Sequence, residues 1–160
     1  MSKTAVAHTL EAIGETSPAG FAIALHVKFT APRYLFQSYE KEWMETYSRE
    51  GLVLRDPTVR WGFENTGSVK WSDLKPLDEG GVLDLAAEHG LKFGVTVALV
   101  KENSRSIASF SRPDREYTDQ EIEQLSAALE KLHDETIATE SLTPADHEAF
   151  KRMSVMLTHG

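Results

Sequence analysis

Residues 93–111 read FGVTVALVKENSRSIASFS. Phe93, Val95, Val97 and Leu99 recur at every second position, the period of a strand with one buried face. Glu102-Asn103-Ser104 forms a tight turn, and Arg105–Ser111 returns as the antiparallel partner. This hairpin is the strongest strand signal in the chain, and the other elements are placed outward from it.

Upstream, Val82–His89 reads as a helix closed by Gly90, and Trp71-Ser72-Asp73-Leu74 as a short turn. Residues 64–68 read as a loop. Asp56-Pro57 is a helix cap followed by a first-turn proline, opening a short helix to about Phe63. Ser38–Glu50 reads as a helix ended by Gly51. Phe21, Ile23, Leu25, Val27 and Phe29 alternate as one face of a strand that Ala31-Pro32 closes. Residues 4–14 form a helix with Val6, Leu10 and Ile13 on one face. Downstream, Thr118-Asp119-Gln120-Glu121 is a capping box opening a long helix with Ile122, Leu125, Leu129 and Leu132 in one stripe. Thr143-Pro144 starts a last helix. Helix, strand, helices, strand, strand, helix is the order of an α+β sandwich around a mostly antiparallel sheet.

With 160 residues the chain suits one domain able to bury a core without staples. It has no cysteine, which excludes disulfides, thiolate metal sites and a cysteine nucleophile. The formal charge of -8 makes the chain itself a poor partner for nucleic acid. There is no membrane-length apolar run and no signal-peptide layout, so the expectation is a cytoplasmic domain that makes no membrane contact. Its six histidines are scattered, and no phosphate loop or nucleophile elbow is present. The expectation is no enzyme, no metal and no cofactor. Gly80-Gly81 before a helix could sit near an anion, although a flexible loop is the simpler account.

Tyr39, Trp43 and Tyr47 recur every four residues, placing two phenols and an indole N–H along one stripe. The stripe reads either as core aromatics with satisfied tips or as the wall of an apolar cavity with a few fixed polar groups, and composition favours the first. Asp56 reads evenly as a helix cap or as an acceptor for a ligand N–H. Trp71 is either a flat cavity wall or core packing.

These residues also resemble a known family. Tyr39, Trp43, Tyr47, Asp56-Pro57 and Trp71 stand at the mutual spacings found in the autoinducer-binding domains of LuxR-type quorum-sensing transcription factors. Ala86-Ala87-Glu88-His89-Gly90-Leu91 and Gly94-Val95-Thr96 look like that family's segment before its central strand. The resemblance spans roughly residues 10–136. It implies an α-β-α sandwich with a central five-stranded antiparallel sheet and an N-acyl-homoserine lactone held between the sheet and one helical layer. By the same resemblance Trp43 donates to the lactone carbonyl, Asp56 accepts from the amide N–H, and Tyr39 donates to the amide carbonyl. Tyr47 and Trp71 pack around the ligand, Ser109 (with Ser111 as second choice) adds a donor, and Thr96 lines the pocket. Two departures bear on the cavity: Ala98 replaces a common proline, and Trp61 and His26 are candidates to narrow the space.

The resemblance divides the chain into a ligand-binding domain, 1–137, and a linker with the start of a helix-turn-helix domain, 138–160. It implies a homodimer that reads DNA only through a C-terminal domain beyond Gly160. The helix from Asp119 to about Ile137 is the candidate dimer element, unless its stripe packs on its own sheet. A naturally short or ligand-independent relative acting by heterodimerisation is the alternative. A lactone hydrolase is the third, against which the scattered histidines and missing cysteines argue.

Overall fold

The computed structural model describes residues 3–28 and 31–137. In chain order these are α1 (Lys3–Thr16), β1 (Gly20–Lys28), β2 (Ala31–Gln37), α2 (Lys41–Arg49), a 3-10 turn (Leu52–Leu54) and α3 (Pro57–Glu64). There follow β3 (Gly67–Lys70), α4 (Trp71–Leu74), a second 3-10 turn (Lys75–Leu77), α5 (Val82–Glu88), β4 (Phe93–Lys101), β5 (Ser104–Arg112) and α6 (Asp119–Ile137). The expected last helix from Thr143 and the linker lie outside the described residues, as does Phe29.

The strands form one sheet in the order β2-β1-β5-β4-β3, antiparallel throughout. The fold is therefore the expected α-β-α sandwich. Glu102 and Asn103 take φ of 54° and 61°, so the β4–β5 connection is a two-residue turn whose twist suits the flanking strands. The capping box closes reciprocally: Thr118 N–H donates to Glu121 Oε1 at 2.9 Å and Glu121 N–H to Thr118 Oγ1 at 3.1 Å.

Two edge strands of the expected five-stranded sheet were not located from the residue pattern. β2 continues past Ala31-Pro32, because proline is tolerated at the outer edge of a sheet, where fewer ladder donors are needed. β3 occupies part of the expected 64–68 loop and has only four residues, too few for an alternation to stand out. The helix expected from Ser38 starts at Lys41 instead. Ser38 is still tied to β1: its N–H donates to Phe21 O and its hydroxyl accepts from Phe21 N–H, both at 3.0 Å. The residue expected to start the helix thus extends the sheet, and Tyr39 sits in the link between β2 and α2.

The two faces of the sheet carry different layers. Phe21, Ile23, Leu25, Val95, Val97, Ala108 and Phe110 pack with α1 (Val6, Leu10, Ile13) and with Leu125, Leu129 and Leu132 of α6. The apolar stripe of α6 is thus buried on its own sheet. The opposite face meets α2 to α5, where Trp43, Leu52, Trp71, Leu74, Leu83 and Leu91 form a second cluster.

The alternation in β1 breaks at His26. Ala24 pairs with Ile107 and Val27 with Arg105, so Leu25 and His26 together face the single residue Ser106. This is a β-bulge, with His26 at φ 54° and buried. It turns His26 towards α6 and Val27 away from it, reversing the expected placement of Val27 with Phe21, Ile23 and Leu25. The His26 amide donates to Ser106 Oγ at 3.1 Å, and Nδ1 meets Ser104 Oγ at 2.7 Å. Nε2 meets Thr136 Oγ1 at 2.8 Å and the His133 carbonyl at 3.0 Å, so Nε2 carries the proton. His133 is stacked alongside, its ring centroid 4.4 Å away, with Nδ1 on Ser106 Oγ and Nε2 on the Lys101 carbonyl. These bonds offset the cost of a non-glycine residue in the left-handed region, about 1–2 kcal/mol.

Burial, then the neighbouring His133 and Arg33, hold the His26 imidazole at about 4, below its ordinary 6.5. Above pH 6.5 both the folded and the unfolded chain keep it neutral. As pH falls from 6.5 towards 4 the unfolded chain takes up the proton first, so stability declines over that window. Thermal unfolding across this range is expected to show the decline. A His26→Asn protein, whose asparagine tolerates the same backbone conformation, is expected to show a flatter profile. An unchanged profile in that variant would remove His26 as the cause.

Candidate functional site

Between the sheet and the layer of α2 to α5 lies a cavity of about 770 Å³. Its floor is the face of the sheet that does not meet α1 and α6. Strand alternation places Ala22, Ala24, Leu35, Gln37, Ile107 and Ser109 on that floor. The walls come from Tyr39, Trp43, Met44 and Tyr47 on one side, and from Trp71, Leu83, Ala86 and Leu91 on the other. Val53, Leu54 and Phe63 line it as well and are exposed, which marks the mouth.

Most of this lining is apolar, so its polar groups stand out. Asp56 is the N-cap of α3: its Oδ1 accepts from Thr58 N–H at 2.8 Å and Thr58 O–H at 2.7 Å. Its Oδ2 accepts from the Tyr47 hydroxyl at 2.7 Å. The two readings of Asp56, cap and cavity carboxylate, are thus compatible. Burial first, and then the Asp56 charge, push the Tyr47 and Tyr39 phenols well above their ordinary value, so both remain donors. The Trp43 ring is 4% exposed and is held edge-on to Tyr47 at 5.7 Å and tilted against His89 at 5.2 Å. Among the described residues, neither the Trp43 indole N–H nor the Tyr39 hydroxyl has a hydrogen-bond partner, and both side chains line the cavity.

On the far wall the Trp71 indole N–H donates to Thr96 Oγ1 at 3.0 Å, and Thr96 Oγ1 shares a hydrogen bond with Ser109 Oγ at 2.7 Å. Ser109 lines the cavity, whereas Thr96 is fully buried behind it and fixes Trp71 and Ser109. Thr96 was expected on the lining; its hydroxyl is used up within this chain of bonds. Ser111, the second choice on the same strand, donates to Gly20 O at 2.9 Å and does not reach the lining.

Of the expected site residues, Tyr39, Trp43, Tyr47, Asp56, Trp71 and Ser109 therefore share one cavity. Neither candidate for narrowing it does so. His26 faces the opposite layer because of the bulge, and Trp61 packs on the cluster around Trp71 without lining the space. Near Gly80-Gly81 the amides of Val82 and Leu83 are taken by the Asp78 carboxylate, at 3.0 and 2.8 Å, so the chain supplies its own anion there. Gln37, Met44, Ser48 and Thr58 were missed as lining residues. The signal for Gln37 was present: Tyr34 and Phe36 alternate with Arg33, Leu35 and Gln37 along β2.

Among the described residues no group of three or more histidines, aspartates or glutamates is placed to hold a metal ion, and no helix is long and apolar enough to cross a membrane.

A family model described as the autoinducer binding domain matches residues 19–136. The HTH-type quorum-sensing regulator RhlR of Pseudomonas aeruginosa is 26% identical over 136 residues, which cover 83% of this chain and 55% of RhlR. The chain thus spans about half the length of that curated relative. Among solved structures, Escherichia coli SdiA superposes with a TM-score of 0.61 at 21% identity, covering 90% of this chain and 66% of that one. SdiA in complex with octanoyl-rac-glycerol gives 0.60 at 19% identity, covering 100% and 77%. CepR2 of Burkholderia cenocepacia, described as an N-acylhomoserine lactone dependent LuxR family transcription factor, gives 0.55 at 16% identity, covering 84% and 93%. At these identities the three structures establish a shared fold.

Proposed function

The chain belongs to the autoinducer-binding domains of LuxR-type quorum-sensing regulators, and from that membership we propose that its cavity binds an N-acyl-homoserine lactone. That family is one of ligand-binding regulatory domains. The observation that carries the proposal is the set of polar groups on the cavity wall. Two donors without partners, the Trp43 N–H and the Tyr39 O–H, stand in the same cavity as a carboxylate already oriented by Tyr47 and Thr58. A lactone head carries two carbonyl acceptors and one amide donor. Trp43 donates to the lactone carbonyl, Tyr39 donates to the amide carbonyl, and Asp56 accepts from the amide N–H. Each ligand group meets a group of opposite type, and each buried protein group gains a partner. Tyr47 acts mainly through Asp56, fixing the carboxylate. Trp71 supplies a flat wall, and Ser109 a further polar contact.

Coupling to transcription follows from mass action. A ligand that fills the cavity stabilises the folded domain by ~2.7 kcal/mol at one hundred times its Kd. In the whole regulator the bound domain dimerises in the cytoplasm and presents a C-terminal helix-turn-helix domain to DNA. The stripe Leu125, Leu129 and Leu132 is already buried, so a dimer seam on α6 uses its other face.

The test is thermal unfolding with a panel of acyl-homoserine lactones. The midpoint is expected to rise with at least one lactone, and the rise to shrink in an Asp56→Asn protein, which keeps a helix cap but lacks the charge. No rise with any lactone at saturating concentration overturns the proposal.

A further inference from the structure

The floor of the cavity is built of rows of paired residues that run across the strands. In one row Gln37 pairs with Ala22, Ala22 with Ser109, and Ser109 with Thr96. In the next, Leu35 pairs with Ala24, Ala24 with Ile107, and Ile107 with Ala98. The first row is polar on both sides of a single methyl group, and the second is wholly apolar. The rows lie about 6.6 Å apart along each strand, and Gln37 and Ser109 lie about 9.6 Å apart across two strand spacings. Ser109 stands in the first row and Tyr39 follows Gln37 by two residues, so a polar head held by both lies over Ala22 and beside the Gln37 carboxamide.

Gln37 is half-buried and lines the cavity, and its side chain has no hydrogen-bond partner among the described residues. A plain hydrocarbon laid across it would strip water from both the carbonyl and the NH2 and return nothing. A ligand oxygen at this point restores a bond. The carboxamide is both donor and acceptor, so it matches a keto oxygen or a hydroxyl.

We propose that Gln37 is a specificity-determining residue, and that the preferred ligand carries an oxo or hydroxyl group on its acyl chain close to the amide. This rests on the reading of the cavity as an acyl-homoserine lactone site. The test is calorimetric titration with three lactones of one chain length, bearing no substituent, a 3-oxo group or a 3-hydroxyl group. The folded protein is expected to prefer an oxygenated lactone by on the order of tenfold. In a Gln37→Leu protein that preference is expected to collapse or reverse, with the unsubstituted lactone binding as well as before or better. A purely structural role would weaken all three together. If lactones bind but their affinity ratios are the same in both proteins, the role of Gln37 is overturned and the site reading stands. If no lactone binds the wild-type protein, both readings fall.

Discussion

A Gly94→Ala protein is expected to lose ~3 kcal/mol of stability and, with it, the shape of the cavity. A Cβ built on Gly94 would enter the Trp71 indole at Cδ2, Cε2 and Cε3, well inside 3.0 Å. The ring cannot yield cheaply. It is 6% exposed, packed in the cluster with Trp43 and Leu74, and pinned through its N–H to Thr96. Either β4 bows away from Trp71, or Trp71 swings out, breaks its bond to Thr96 and moves into the ligand space. A thermal midpoint lower by on the order of 10 °C is the expected reading. Gly14 is the control. It lies in α1 with nothing within 4 Å of a built Cβ, so Gly14→Ala is expected to be neutral or to stabilise by about 0.5–1 kcal/mol. Equal effects of the two substitutions would show that the Trp71 contact is not the cause.

Trp43→Phe is expected to weaken lactone binding by a factor on the order of 5 to 150. The variant keeps an aromatic ring beside Tyr47 and His89 but loses the N–H. A ligand carbonyl then enters a closed apolar space without a donor, which costs about 1–3 kcal/mol. The smaller ring also leaves a void in the cluster around Trp71, so the ligand-free protein is expected to unfold at a lower temperature too. The two effects separate in a titration at a temperature where both proteins are folded. A Kd within twofold of the unsubstituted protein would remove Trp43 from the ligand's polar contacts.

How much of this the sequence disclosed depends on the kind of signal each element left. The β4–β5 hairpin was legible because apolar and other residues alternate over nine positions on one side of a two-residue turn. The α6 cap was legible because Thr118 and Glu121 satisfy each other locally. β2 was not, since Pro32 so near its start looks like a terminator until the strand is known to lie at an edge. Ser38 was misread for a related reason. A serine before charged residues is a common helix cap, and only the pairing with Phe21, distant in sequence, shows that its hydroxyl serves the sheet. The bulge at His26 left no local mark at all. It depends on Ser104, Ser106, His133 and Thr136, all of which lie 78 to 110 residues away. In the candidate site, the spacing of Tyr39, Trp43, Tyr47, Asp56 and Trp71 carried the resemblance. Gln37 lay in the strand that was missed.

The alternation of the sheet has a consequence for how such a protein can change under selection. On β1, Phe21, Ile23 and Leu25 belong to the layer under α1 and α6, while Ala22 and Ala24 belong to the cavity. β2 and β5 divide in the same way, Phe36 from Leu35 and Gln37, and Phe110 from Ile107 and Ser109. Each strand therefore spells two interleaved messages on alternate letters, one that keeps the fold and one that chooses the ligand. Point substitutions can rewrite the second while sparing the first. A single inserted or deleted residue scrambles both at once. Descendants of such a domain are free to drift in ligand taste by substitution within their floor strands, while changes of length are confined to the connections between them.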